Sequence, residues 1–206
     1  MSGLSVSLFE NPSAVTGEEL NRDLLLLPAW RREKVLSYRF LIDRVLCAKA
    51  YLLLTEALRS SYGIDCSPAF DYGRNGKPLL RDYPEIHFNL SHCRRGVLCV
   101  VADEPVGCDI EEIGDSIDPD LCKACHSESE IAAILSSEDP CAAFTALWTR
   151  KEAFLKLTGE GVSNRMPSLF PGDALSGIRF ETVVRRDRGF VYSISKHSVP
   201  PLTRSL

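Results

Sequence analysis

Phe144-Thr-Ala-Leu-Trp-Thr-Arg-Lys-Glu-Ala-Phe-Leu-Lys-Leu-Thr-Gly-Glu-Gly161 is the stretch around which the chain is organised. Read as a helix, it sets Trp148, Glu152 and Lys156 one above another at i, i+4 and i+8. Phe144, Leu147, Phe154, Leu155 and Leu157 supply apolar contact around much of the rest, so the helix is largely buried. Unpaired buried charge is expensive, and Glu152 and Lys156 therefore need partners. The plainest partner of each is the other, because Glu four residues before Lys is the favourable order on a helix. A second acidic stretch upstream, Asp109-Ile110-Glu111, offers a different answer. If it is a strand, Asp109 and Glu111 point to the same face. Asp109, Glu111 and Glu152 can then converge from two elements on a hard cation.

Around this pair the elements follow from pattern. Asp139-Pro140 reads as an N-cap with proline at the first helical position, and Gly159 and Gly161 end the helix. Ser127-Glu-Ser-Glu130 is a capping box opening a helix to about Leu135. Ile178–Val184 and Phe190–Lys196 form a hairpin around Arg185-Arg-Asp-Arg-Gly189, and the tail after Ser198 reads as disordered. Towards the N-terminus, Leu4–Phe9 alternates as a short strand. A helix runs from about Thr16 until Pro28 interrupts it, and Trp30-Arg31-Arg32-Glu33-Lys34 opens another helical turn. A long helix then spans about Tyr38 to Tyr62, with Gly63 as its C-cap. Ala69–Tyr72 is a strand, Gly73-Arg-Asn-Gly-Lys-Pro78 a turn whose glycine spacing is wrong for a phosphate-binding P-loop. Ile86–Ser91 alternates with Ile86, Phe88 and Leu90 inward and His92 just past its end, and Val97–Ala102 is apolar throughout, as in a strand buried on both faces. Glu104-Pro105 turns into the acidic strand Val106–Ile113 and divides the chain into residues 1–104 and 105–206.

Composition narrows the function classes. The chain has 206 residues, 45% hydrophobic and 25% charged, ordinary for a globular protein able to bury a core. A net charge of −4 argues against general nucleic-acid binding. No apolar run reaches membrane-spanning length, and the N-terminus lacks a basic n-region, so a cytoplasmic protein with no membrane contact is expected. Eight cysteines are many for such a location, but Cys47, Cys99 and Cys108 sit in apolar segments where a free thiol acts as a small hydrophobe. Cys122-Lys-Ala-Cys125-His126 has the spacing of a haem attachment site. That chemistry belongs to exported proteins, and no second ligand pair follows to make it a zinc site.

Three motifs, in order and at matching separations, carry a resemblance: Asn89-Leu-Ser-His92, Val106-Gly-Cys-Asp-Ile-Glu111 and Trp148-Thr-Arg-Lys-Glu-Ala-Phe-Leu-Lys156. Together with Gly76-Lys77-Pro78 they resemble the 4'-phosphopantetheinyl transferases of the surfactin-synthetase-activating type. The only departure within the motifs is Cys108, where the family places valine or isoleucine. The resemblance covers roughly Gly73 to Gly161.

It implies an α+β fold of two similar halves, each a small antiparallel sheet packed with a long helix, with the active site in the cleft between them. The implied activity is transfer of 4'-phosphopantetheine from coenzyme A to a serine of an acyl or peptidyl carrier protein. Mg²⁺, or Mn²⁺ in its place, would be held by Asp109, Glu111 and Glu152, with Glu152 and Lys156 catalytic. Coenzyme A would meet Lys77, Ser91 and His92, with Arg31, Lys34 and Arg44 as further phosphate contacts. Residues 1–104 would take the nucleotide and 105–206 the carrier, which is expected to dock on the helix from Glu128 and the segment 163–170, steered by Arg165. The two-half design implies a monomer. Two readings compete: a degenerate module that binds carriers without modifying them, and a metal-dependent nuclease. Against the nuclease, Lys156 follows Glu152 by four positions rather than two, and no basic-aromatic surface accompanies it.

Overall fold

Strand β5 (Gly96–Ala102) has every residue buried, and its surroundings explain why. It is the middle strand of a three-stranded antiparallel sheet, between β1 (Ser5–Glu10) and β4 (His87–Cys93). On one face Cys99 and Val101 pack with Leu54, Ala57 and Leu58 of helix α3 (Leu41–Tyr62). On the other, Leu98, Val100 and Ala102 meet Cys108 and Ile110 of β6 (Val106–Glu112) and Phe190 and Ile194 of β8 (Phe190–His197). These last belong to a second antiparallel sheet, ordered β6-β8-β7, with β7 at Ile178–Arg185. Burying a side chain such as Ile110 completely is worth roughly 2 kcal/mol, so this seam is a main source of stability. The architecture was obtained as a computed structural model and is described for residues 3–161, 166–170 and 177–198.

The two sheets repeat one plan. In each, a first strand leads through a long helix to a hairpin, and the first strand pairs with the last: β1 with β5, β6 with β8. The long helices are α3 and α6 (Pro140–Thr158). The fold is therefore a mixed α+β architecture with small antiparallel sheets, as expected. Helices α1 (Gly17–Leu26) and α2 (Ala29–Ser37) pack on α3 through Leu20, Leu24, Leu27 and Val35. A two-stranded sheet, β2 (Phe70–Tyr72) with β3 (Pro78–Leu80), lies at the edge.

Several local readings need correction. The long helix starts at Leu41 rather than Tyr38, because Tyr38 and Phe40 are both extended and separate it from α2. Pro78 is no longer turn but the first residue of β3, a position where its missing N–H costs least. His92 lies within β4, not past its end. The alternation expected for β4 is also incomplete: Ile86 and Phe88 are buried, but so are Asn89 and Ser91 on the opposite face, which the second sheet covers. Cys122 and Cys125 are buried free thiols on a helix that the cysteine spacing hid, α4 (Pro119–Cys125), capped by Asp118. Helix α5 (Glu128–Leu135) opens on the expected capping box of Ser127 and Glu130. No helix among the described residues is long and apolar enough to cross a membrane. Arg165 and the tail after Ser198 lie outside the described residues.

Candidate active site

The site begins at Gly107. Gly107, Asp109 and Glu111 share the face of β6 on which α6 lies, and a Cβ at Gly107 would come within 2.0 Å of the Ala153 carbonyl oxygen and 2.5 Å of the Leu157 nitrogen. Only glycine lets helix and strand approach this closely. Ser195 Oγ on β8 adds a hydrogen bond of 2.8 Å to the same Ala153 oxygen, and Ser193 Oγ meets Thr149 Oγ at 2.8 Å. The last two turns of α6 are thus fixed over the sheet. Asp139 caps the other end, accepting from the Ala142 N–H, and Gly159 closes the helix with φ 73°.

Fixed this way, Lys156 reaches Asp109. Its Nζ donates to Asp109 Oδ1 at 2.7 Å and to Ser91 Oγ at 2.9 Å. Ser91 in turn donates to the same Oδ1 at 2.7 Å and accepts from the Ile110 N–H at 3.4 Å. The simplest expectation, pairing of Glu152 with Lys156, gives way to this cross-element arrangement. Asp109 is 2% exposed, and its other oxygen, Oδ2, is buried without a hydrogen-bond partner.

Electrostatics set the remaining acids. Burial and then the Asp109 charge push the Glu111 carboxyl up to about 7, and the same two causes raise Glu152. Burial, the largest single influence, pulls Lys156 down, yet the charge and hydrogen bond of Asp109 together with Cys108 and Glu152 outweigh it and its pKa is raised. The three acids are therefore close enough to repel one another. Among the described residues, however, no three carboxylate, histidine or cysteine side chains already close into a metal cage. The donors fit a hard cation in kind, being carboxylate oxygens, one of them a buried unpartnered Oδ2.

A cleft of about 290 Å³ opens beside these groups. Glu152, Leu155, Lys156, Gly159 and Gly161 form one wall; Asn75, Gly76, Lys77, Pro78, Asn89 and Leu90 form the other. Residues from both sides of the Glu104 turn thus line it. Lys77 lines the cleft, its Nζ donates to the Lys156 and Leu157 carbonyls at 2.5 and 3.2 Å, and burial lowers its pKa.

Ser91 is buried behind Asp109 rather than lining the opening. His92 is exposed on β4, its pKa lowered by desolvation and by the nearby Lys156 ammonium. Arg31, Lys34 and Arg44 are not brought to the cleft. Arg31 donates to the Cys47 carbonyl at 3.1 Å and covers the Tyr51 ring, Arg44 donates to the Tyr38 carbonyl at 2.8 Å, and Lys34 is exposed on α2. Lys151 is wholly buried and pairs with a carboxylate, donating to Glu130 Oε2 at 2.7 Å and also to the Cys125 and Met166 carbonyls.

Two residues that sequence reasoning passed over complete the site. Asn89 Oδ1 accepts from the Cys108 N–H at 2.9 Å, so Asn89 and Ser91 together occupy two amides on the open side of β6. Their i, i+2 spacing in a strand was the available signal. Asn75 reaches the end of α6, and only its position in a glycine-flanked turn hinted at more than a turn.

Residues 105–191 match the sequence profile of the 4'-phosphopantetheinyl transferase superfamily. The chain is similar to 4'-phosphopantetheinyl transferase psf-1 of Bacillus pumilus, 38% identical over 141 residues, covering 67% of this chain and 60% of the relative. It is 30% identical over 149 residues to 4'-phosphopantetheinyl transferase Sfp of Bacillus subtilis, covering 71% and 66%. Against 4'-phosphopantetheinyl transferase gsp of Aneurinibacillus migulanus the identity is 37% over 128 residues, covering 61% and 50%. The chain thus spans between half and about two thirds of the length of these relatives. The matched segment, residues 105–191, holds β6 and α6, the elements that build the Asp109–Lys156 site, so the site lies in the part of the chain that is similar to the 4'-phosphopantetheinyl transferase superfamily.

Proposed function

We propose that the chain transfers 4'-phosphopantetheine from coenzyme A to a serine hydroxyl of an acyl or peptidyl carrier protein, releasing adenosine 3',5'-bisphosphate. The observation that carries this reading is Asp109: a buried carboxylate gripped at one oxygen by Ser91 and Lys156, bare at the other, beside two further acids of raised pKa. Such a set serves a reaction at a diphosphate, where negative charge must be gathered and neutralised. The names carried by the relatives support the same activity.

Asp109, Glu111 and Glu152 would hold Mg²⁺, or Mn²⁺ in its place. When bound, the cation neutralises charge on the diphosphate oxygens. The chain's own groups do the rest. Glu152, at the cleft wall, takes the proton of the carrier serine as its oxygen bonds to the β-phosphorus. The bond from that phosphorus to the bridging oxygen breaks, and the electron pair leaves with the nucleotide phosphate. Of the three protons on Lys156 Nζ, two are held by Asp109 and Ser91, and the third is free for the departing oxygen.

In this reading residues 1–104 take the nucleotide, with His92 and Lys77 towards its phosphates, and residues 105–206 receive the carrier. The protein works as a cytoplasmic monomer. The test is to incubate the chain with Mg²⁺, coenzyme A and an apo carrier protein and weigh the carrier by mass spectrometry. A phosphopantetheine adduct that disappears with EDTA or with Glu152→Gln is expected. Tight carrier binding with no adduct would replace the reading with a binding module, and cleavage of added DNA would replace it with a nuclease.

A further inference from the structure

The last carbonyls of a helix have no partner within it and must find one elsewhere. At the end of α6 two of them, and the two carbonyls of Gly159 and Glu160 that follow the helix, are taken by a single loop from the opposite wall of the cleft. Lys77 Nζ donates to the Lys156 and Leu157 oxygens at 2.5 and 3.2 Å, and Asn75 Nδ2 donates to the Gly159 and Glu160 oxygens at 2.8 Å each. Both N–H groups of one side-chain amide are thereby spent on consecutive carbonyls 84 and 85 residues away in sequence. The loop is braced for this: the Gly73 N–H bonds to the Lys77 oxygen at 2.8 Å and the Gly76 N–H to the Gly73 oxygen at 3.1 Å. Asn75 itself is held at φ 55° and ψ 25°, the left-handed conformation that asparagine tolerates better than most residues.

The end so held is the one that carries Lys156, whose 2.7 Å bond to Asp109 depends on where α6 sits along β6. A helix is stiff, so an axial slip at Gly159 displaces Lys156 by the same amount. A slip of about 1 Å would take that bond outside hydrogen-bonding range. We propose that Asn75 is a positioning residue: it clasps the end of α6 from the other side of the cleft and so sets the place of Lys156 and Glu152. The inference rests on the transferase reading for its kinetic arm only.

Asn75→Asp keeps the shape of the side chain but turns an oxygen towards two carbonyls, and Asn75→Gly removes the arm while keeping the backbone conformation. Both should lower kcat by about tenfold or more, as expected for misplaced reacting groups, with the KM for coenzyme A within about twofold. A variant that merely loses stability would show wild-type kcat well below its melting temperature. The second readout needs no activity. Hydrogen exchange at the Gly159 and Glu160 amides, which bond back to the Leu155 oxygen, should quicken by about tenfold in both variants as the last turn frays. Wild-type kcat in Asn75→Gly, or unchanged exchange at those amides, overturns the proposal. A wild-type chain that transfers nothing overturns the transferase reading instead, and the exchange measurement still decides the clasp.

Discussion

His126 makes stability depend on pH in a way that can be isolated. The ring is 2% exposed, neither nitrogen has a hydrogen-bond partner, and it stands edge-on to Phe144 with centroids 5.2 Å apart. Desolvation, then the buried Lys151 ammonium, lowers its pKa from 6.5 to about 4. Above the unfolded value both folded and unfolded chains hold it neutral, and the contribution is fully present. As the pH falls through 6.5 the unfolded chain gains a proton that the folded one refuses, so stability is lost until the folded value is reached. Each pH unit is worth about 1.4 kcal/mol, which makes the whole loss about 3 kcal/mol and the loss by pH ~5 about 2 kcal/mol.

Other groups act in overlapping windows. Glu111, raised to about 7, has the opposite sign and adds stability as the pH falls from there towards its unfolded value. Glu130 is lowered and loses stability only below the ordinary carboxylate range. Comparison with His126→Leu cancels both. At pH ~7.5 the variant should be about 1 kcal/mol less stable through the lost ring contact. By pH ~5 the wild type has given up about 2 kcal/mol that the variant keeps, so the order reverses. Urea unfolding followed by circular dichroism across that range measures both curves. Parallel curves, with no crossing, would refute the reasoning.

Gly107→Ala must push α6 off β6, because its methyl would overlap the Ala153 carbonyl. A loss of about 3 kcal/mol with abolished transfer is expected from denaturation and activity measurements. Lys151→Met removes one partner of the buried pair with Glu130 and should cost about 3–5 kcal/mol by urea unfolding; a cost below about 1 kcal/mol would mean that water replaces the ammonium. Adding Mg²⁺ should raise the melting temperature of the wild type but not of Asp109→Asn, as expected when a ligand binds only the folded chain. Equal shifts in the two proteins would remove Asp109 from the binding set.

Much of this arrangement could be read from the chain. The caps of α6 and α5, the acidic strand and the turn before it follow from local chemistry, which sequence displays directly. What stayed hidden came from packing between distant segments. The burial of Lys151 was not legible, because nothing near it in sequence announces that Glu130, Cys125 and Met166 will close around it. Strand β4 read as one-sided because Asn89 and Ser91 are polar, and the partners that justify burying them are a carboxylate and two amides of a strand 18 to 19 residues on. Helix α4 was masked by a cysteine pattern, since its Asp118-Pro119 start competed with a spacing that suggested ligands. The phosphate contacts expected of Arg31 and Arg44 came from the resemblance alone, and both guanidiniums are engaged with backbone carbonyls in the fold.

The line where β4 faces β6 has a consequence for how the two sheets stay joined. An unpaired row of amides on a sheet edge invites a strand from another molecule to add itself. On β6 that invitation is withdrawn by two short side chains, Asn89 and Ser91, which occupy the Cys108 and Ile110 N–H groups. Because β4 covers that edge, replacing both with alanine would leave the two amides buried and without partners, at about 1–3 kcal/mol each, so residues that frame the chemistry also hold the two sheets together.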